Sequence, residues 1–203
     1  MSLYYTLKSR WKHSENIALK CTTSSFTWAE LDEHVQQAAN FLSAFGLKKG
    51  DVLALQLKKS PEFLFLHLAA LSLGVITLPL NDKYTASEVD YFLRDSSARA
   101  AILQDHVHAS IDVSPSLGSV SASNIASELA HSTFTAQAAS VEMSEIAVLC
   151  YTSGTTGKPK GALITHGNLL HSIRSLHQAW HWRPEDTKDP RRLVVISRDS
   201  RLE

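Results

Sequence analysis

Apolar and polar positions follow two different rhythms along this chain. Leu31, Val35, Ala38, Ala39, Leu42 and Phe45 recur at helical spacing and would share one face of a helix. Thr27 and Glu30 stand just ahead of them, at the spacing where each side chain caps the other's backbone N–H, and Phe26 is placed to staple onto Leu31. Gly46 follows as a stop. The rhythm then shortens: 51–57, with Val52-Leu53-Ala54-Leu55 inside it, reads as a strand. Ser60-Pro61-Glu62 opens a second helix, with proline at the first position, where its missing N–H would be unpaired anyway. That helix carries Phe63, Leu64, His67, Leu68 and Leu71 and closes at Gly74. Residues 75–80 form the next strand. Thr85 and Glu88 repeat the capping spacing ahead of Val89, Phe92 and Leu93, and 100–103 is another short strand.

From 106 to 144 the pattern decays into serine, alanine and valine. This reads as a surface connection with one helix at 124–131. Strand patterning resumes at 146–151 and again at 162–165. The last periodic segment, 168–180, places Leu169, Leu170, Ile173, Leu176 and Trp180 at helical spacing, which reads as packing surface. Helices alternating with strands predict an α/β fold with a largely parallel, covered sheet.

Between the last two strands the chemistry changes abruptly. Leu149-Cys150-Tyr151 gives way to Thr152-Ser153-Gly154-Thr155-Thr156-Gly157-Lys158-Pro159-Lys160-Gly161. Glycines let the backbone approach a bulky anion and turn sharply. Successive N–H groups can converge on that anion, and the hydroxyls of Thr152, Ser153, Thr155 and Thr156 add donors. Lys160 adds a compact cation, worth about 4 kcal/mol against one phosphate charge at ~4 Å and an effective dielectric near 20. The segment suits a polyphosphate.

Other readings of the loop fit less well. A Walker A motif needs Gly-Lys-Ser/Thr at a fixed distance from its first glycine; counted from Gly154, that place holds Pro159. Pro159 also pushes Lys158 toward extended geometry, so no helix opens there. A flexible linker would have polar flanks, whereas 146–149 and 162–164 are apolar. Ser153 lacks the G-x-S-x-G elbow of a serine hydrolase. His166, His171, His177 and His181 cluster in sequence, and His177 and His181 could share a helix face. With no intervening glutamate or nearby cysteine, no metal site is assigned.

Composition narrows the classes further. In 203 residues, 20 Lys and Arg balance 20 Asp and Glu, so no electrostatic footprint for nucleic acid is expected. No apolar run reaches the ~18 residues of a membrane span. Residues 1–14 carry Lys8, Arg10 and Lys12 without an apolar core, so they do not read as a secretory signal. Cys21 and Cys150 form no CxxC and read as reduced thiols. The expected location is cytoplasmic, with a basic, acid-poor mitochondrial presequence as the alternative.

The segment from Tyr151 to Gly161 resembles the signature loop of the adenylate-forming (AMP-binding) superfamily, which includes acyl-CoA synthetases and peptide-synthetase adenylation domains. Phe26-Thr27-Trp28-Ala29-Glu30-Leu31 is similar to an early segment of that family, and 71–81 to a second one. Leu78-Pro79-Leu80-Asn81, with Tyr84-Thr85 and Glu88-Val89-Asp90-Tyr91, looks most like malonyl-CoA synthetases. The resemblance covers about 1–182 and implies the N-terminal part of the family's large domain, incomplete; 183–203 reads as a divergent polar tail.

What the resemblance implies is an ATP-dependent acid–CoA ligase. A carboxylic acid would react with ATP to give an acyl-adenylate, and coenzyme A would then displace AMP, with Mg²⁺ accompanying ATP. Thr152, Ser153, Gly154, Thr155, Thr156, Gly157 and Lys160 would bind the β- and γ-phosphates. No catalytic and no metal-ligating residue is assigned in this chain, because the family supplies its adenine pocket, metal-binding Thr-x-x-Glu, ribose-binding aspartate and catalytic lysine further downstream. The expectation is a truncated product, inactive as a ligase on its own. The rival expectation is a non-catalytic nucleotide-binding or interaction module.

Overall fold

The computed structural model describes residues 3–9, 11, 15–21, 24–111, 117–131, 135–136, 139–152, 159–180 and 195–196. In chain order the first elements are α1 (Leu3–Lys8), β1 (Ile17–Cys21), β2 (Ser25–Thr27), α2 (Trp28–Ala44), β3 (Val52–Leu55), α3 (Pro61–Leu73), β4 (Ile76–Pro79) and α4 (Ala86–Asp95). They are followed by β5 (Ala100–Leu103), α5 (Asp105–His108), β6 (Gly118–Ser121), α6 (Ile125–Ala130), β7 (Ile146–Thr152), β8 (Lys160–Thr165), α7 (His166–Trp180) and β9 (Val195–Ile196).

Helix starts follow the local chemistry. Thr27 Oγ1 accepts from the Glu30 N–H at 3.2 Å while the Glu30 carboxylate accepts from the Thr27 N–H at 2.7 Å. Thr85 and Glu88 make the same reciprocal pair at the start of α4. Ser60 caps α3, with Pro61 at its first position. At the far end of α3, Gly74 adopts φ 70°, and its N–H reaches Ala70 O. A Cβ there would lie 3.0 Å from both Lys49 Cγ and Val141 Cγ2, so a side chain at this position would be both strained and crowded.

Six strands form the main sheet in the order β6-β5-β3-β4-β7-β8. Neighbours from β6 through β7 pair in parallel, and β8 returns antiparallel along β7. A smaller sheet, β2-β1-β9, stands apart. Alternation along each strand divides the core between the two sheet faces. Leu53, Leu55, Ala100 and Ile102 join the cluster containing Val35, Leu42, Leu66 and Leu71 of α2 and α3. Ala54, Ala101 and Leu103 join Val89, Phe92 and Leu93 of α4 and Val107 of α5. Both faces of the central strands are thus covered, which is why β3 and β5 read as continuous apolar runs.

The structure departs from the sequence reading in places. β6 lies within the stretch read as a surface connection. Its sequence, Gly-Ser-Val-Ser, carries little strand propensity, and pairing with β5 imposes the conformation. Gly118 fits because a Cβ there would come within 2.3 Å of the Phe45 ring. The stripe on α7 is a correction. Leu169 and Leu170 pack against the main cluster, but Ile173, Leu176 and Trp180 are 37%, 40% and 54% exposed. Only the first turns of α7 lie over the core; the rest of the helix runs past it. Among the described residues no helix is long and apolar enough to cross a membrane.

Candidate functional site

Because β3, β4, β5 and β7 run parallel, their carboxyl ends share one edge of the sheet. The chain crosses from β3 to β4 through α3, then from β4 back past β3 to β5 through α4. Such a reversal of strand order opens a crevice outside the carboxyl ends, where open α/β sheets bind ligands. Gln56, Asn81 and Gln104 stand just beyond β3, β4 and β5, and Thr152 ends β7 on the same edge.

The sequence-assigned residues divide between two groups. Ser153, Gly154, Thr155, Thr156 and Gly157 lie outside the described residues. Thr152 and Lys160 are placed, and the register of the β7–β8 pair sets them opposite one another. Thr152 Oγ1 donates to Lys160 O at 3.4 Å, and both residues are exposed. The ends of the Gly/Ser/Thr segment are therefore fixed by a ladder, with a hydroxyl on one arm and an ammonium on the other. Directly behind this pair, Gly161 faces Tyr151. A Cβ on Gly161 would lie 2.8 Å from Leu149 Cδ1 and 3.6 Å from Tyr151 Cζ, so its bareness lets the arms close over both side chains.

Helix α4 meets the hairpin at two points the sequence reading did not assign. Tyr91 Oη donates to Pro159 O at 3.2 Å, and Tyr151 Oη donates to the Asp95 carboxylate at 2.5 Å. Burial and then the bond to Asp95 push the Tyr151 hydroxyl well above the ordinary phenol range, so it stays a donor. The Phe92 ring lies 4.7 Å from that of Tyr151, and Tyr91 meets Tyr151 edge-on at 6.4 Å. The signal available in sequence was the i,i+4 spacing of Tyr91 and Asp95, which places both on one helix face.

The histidines grouped in the sequence are parted by the fold. His166, at the start of α7, is fully buried, and among the described residues neither ring nitrogen has a hydrogen-bond partner. His171 and His177 are exposed, and His181 lies outside the described residues. A different histidine approaches His166: His67 of α3, whose Nδ1 lies 3.0 Å from Thr77 Oγ1. Burial, with a smaller contribution from His166, pushes His67 down to about 4. His166 is also held low by burial, against an upward pull from Glu145. Among the described residues no group of three or more His, Cys, Asp and Glu side chains is arranged to hold a metal ion.

The sequence profile of the AMP-binding enzyme family matches residues 8–197. The ATP-bound crystal structure of MatB from Rhodopseudomonas palustris superposes with a TM-score of 0.79 at 28% identity, covering 91% of this chain and 39% of that one. A probable CoA ligase, CCL9, of Humulus lupulus is 30% identical over 79% of this chain and 33% of its own length. Gramicidin S synthase 2 of Brevibacillus brevis is 29% identical over 81% of this chain and 4% of its own length. The chain thus spans well under half of each of these relatives. With the profile matched over nearly its whole length and the parallel sheet ending in the Thr152–Lys160 hairpin, the chain belongs to the AMP-binding enzyme family.

Proposed function

We propose that this chain is the phosphate-handling N-terminal portion of an ATP-dependent acid–CoA ligase. The observation that carries the reading is the register of β7 and β8, which sets Thr152 against Lys160 at the mouth of the Gly/Ser/Thr segment. In this reading Thr152 to Gly157 supply hydroxyl and backbone N–H donors to the β- and γ-phosphates, and Lys160 offsets their charge. Lys160 is exposed and makes no ion pair among the described residues, which suits a cation kept for a ligand. In the complete reaction a carboxylate displaces pyrophosphate from ATP, and the thiol of coenzyme A then displaces AMP. Mg²⁺ would enter with ATP; no described residue is assigned to it, to coenzyme A or to the acid. Malonate is the proposed acid, on the similarity of Leu78 to Asn81 and of the following helix to malonyl-CoA synthetases. Both cysteines are free, which suits a reducing compartment such as the cytoplasm.

A second reading stands beside the first: a non-catalytic nucleotide-binding or interaction module, which would bind ATP without completing either half-reaction. ATP titration and ATP–pyrophosphate exchange with malonate separate the two. Binding without exchange, and no thioester formed, supports the non-catalytic module. Exchange would show a competent adenylating enzyme. Under either reading Lys160→Ala weakens ATP about tenfold, an exposed charge being worth far less than its Coulomb energy in a dry site. Equal affinity in that variant would overturn the phosphate assignment.

A further inference from the structure

The β7–β8 hairpin is held from outside by one helix, and by both of its arms. The outgoing arm is tied at Tyr151, whose hydroxyl donates to Asp95 at 2.5 Å. The returning arm is tied at Pro159, whose carbonyl accepts from Tyr91 at 3.2 Å. Tyr91 and Asp95 are one helical turn apart on α4 (Ala86–Asp95), so the spacing between the two ties is set by the rise of a capped helix. Phe92, between them in sequence, lies against the Tyr151 ring at 4.7 Å and fixes the distance from helix to hairpin. Pro159 has no N–H to donate to the ladder, and its carbonyl accepts from Tyr91.

We propose that Tyr91 and the Asp95–Tyr151 pair are positioning residues that brace the two arms of this hairpin and so set where Thr152 and Lys160 stand relative to each other. The consequence for nucleotide binding rests on the phosphate reading above; the bracing itself does not. Neither tyrosine needs to touch a ligand. Each acts through the backbone of the arm it holds, and the ladder pair Thr152–Lys160 is the next pair outward from Tyr151–Gly161. A preorganised pair meets a polyanion without first losing conformational freedom, which is where such bracing gains affinity.

Tyr91→Phe and Tyr151→Phe, made in the full chain, remove one hydroxyl each and keep the rings packed around Phe92. Amide hydrogen exchange reads the bracing without any ligand. Exchange at Tyr151, Thr152, Lys160 and Gly161 should quicken about 5-fold in each variant, the factor one net hydrogen bond carries, while α2 and α3 keep their protection and the thermal midpoint falls by no more than about 2–4 °C. Asp95→Asn retains an acceptor for Tyr151 and should restore most of the protection that Asp95→Ala loses. Unchanged exchange at the hairpin in both tyrosine variants overturns the proposal. A thermal midpoint that falls together with protection lost throughout the chain also overturns it, since that marks a purely structural role.

Titration with ATP and with inorganic tripolyphosphate then separates the two readings. Where the unaltered chain binds them, each Phe variant should weaken both by about the same 5-fold factor. If hairpin exchange quickens but these affinities do not move, the bracing stands and its consequence for binding is overturned. If the unaltered chain binds neither, the phosphate reading falls, and hydrogen exchange alone decides whether α4 braces the hairpin.

Discussion

Gln56 and Gln104 interlock where β3 and β5 end. Gln104 Nε2 donates to Gln56 O at 3.0 Å, and the Gln104 backbone N–H donates to Gln56 Oε1 at 3.3 Å. The amide of Gln56, fully buried, donates onward to Tyr84 O at 2.9 Å and lies 3.4 Å from Asn81 O. One side chain thus joins the ends of three strands along the sheet edge that carries the hairpin. Gln56→Leu keeps the volume and strands these partners. We expect a loss of about 2–4 kcal/mol, the range for several buried polar groups left unpaired, read by urea unfolding. A change below about 0.5 kcal/mol, the scale of an ordinary surface substitution, would show that water replaces the amide freely.

At the start of α4, Thr85 Oγ1 accepts from the Glu88 N–H at 3.4 Å and the Glu88 carboxylate accepts from the Thr85 N–H at 2.8 Å. Thr85→Ala should lower stability by about 1 kcal/mol, as loss of an N-cap does. The bonds from the Thr85 backbone and hydroxyl hold the Glu88 carboxyl below its usual value. Its contribution is therefore present above the ordinary carboxylate pKa and lost as pH falls below it. The variant's deficit should shrink in acid, and a deficit equal at pH 7 and pH 3 would contradict this account.

His67 makes a separate prediction about acid. Its folded value, about 4, lies below the 6.5 of a free imidazole, so the unfolded chain binds more protons between those limits and stability rises with pH across them. The neutral ring's contribution is whole above about pH 6.5 and is lost as pH falls toward 4, on the order of 3 kcal/mol in all. His166 is depressed in the same sense and adds to the slope. His67→Gln should flatten the fall in unfolding free energy between pH 7 and pH 4.5. Parallel curves for the two proteins would rule the histidine out as the source.

Gly74 closes α3 in the left-handed region, with Lys49 and Val141 pressed against the space a side chain would take. Gly74→Ala should destabilise by about 1–3 kcal/mol, the cost of a strained backbone plus displacement of its neighbours. Gly50, also at positive φ but with nothing within 4 Å of a built Cβ, should lose less on the same change. Thermal unfolding of the two variants side by side checks the ranking, and an equal loss would mean that crowding at Gly74 is absorbed.

The helices and central strands were legible because local signals agreed with their tertiary roles. Thr27, Ser60 and Thr85 cap where their spacing says they should, and Val52 to Leu55 and Ala100 to Leu103 are strands buried on both faces. β6 was not legible, since Gly118 answers to the Phe45 ring rather than to its own neighbours. The exposure of Ile173, Leu176 and Trp180 was hidden for the opposite reason: periodicity marks an apolar face without saying what lies opposite it. At the site, residue types named Thr152 and Lys160, but Tyr91 and Asp95 gain meaning only once α4 meets the hairpin across more than fifty intervening positions.

The antiparallel return of β8 has a bearing on how the molecule assembles. Every other neighbouring pair in the main sheet joins strands separated by a crossover, so it forms only after a wide stretch of chain has closed on itself. β7 and β8 are consecutive strands that pair antiparallel, and hairpin pairings form in roughly 1–10 μs. The two arms that flank the proposed phosphate-binding segment can therefore pair early and as a local event.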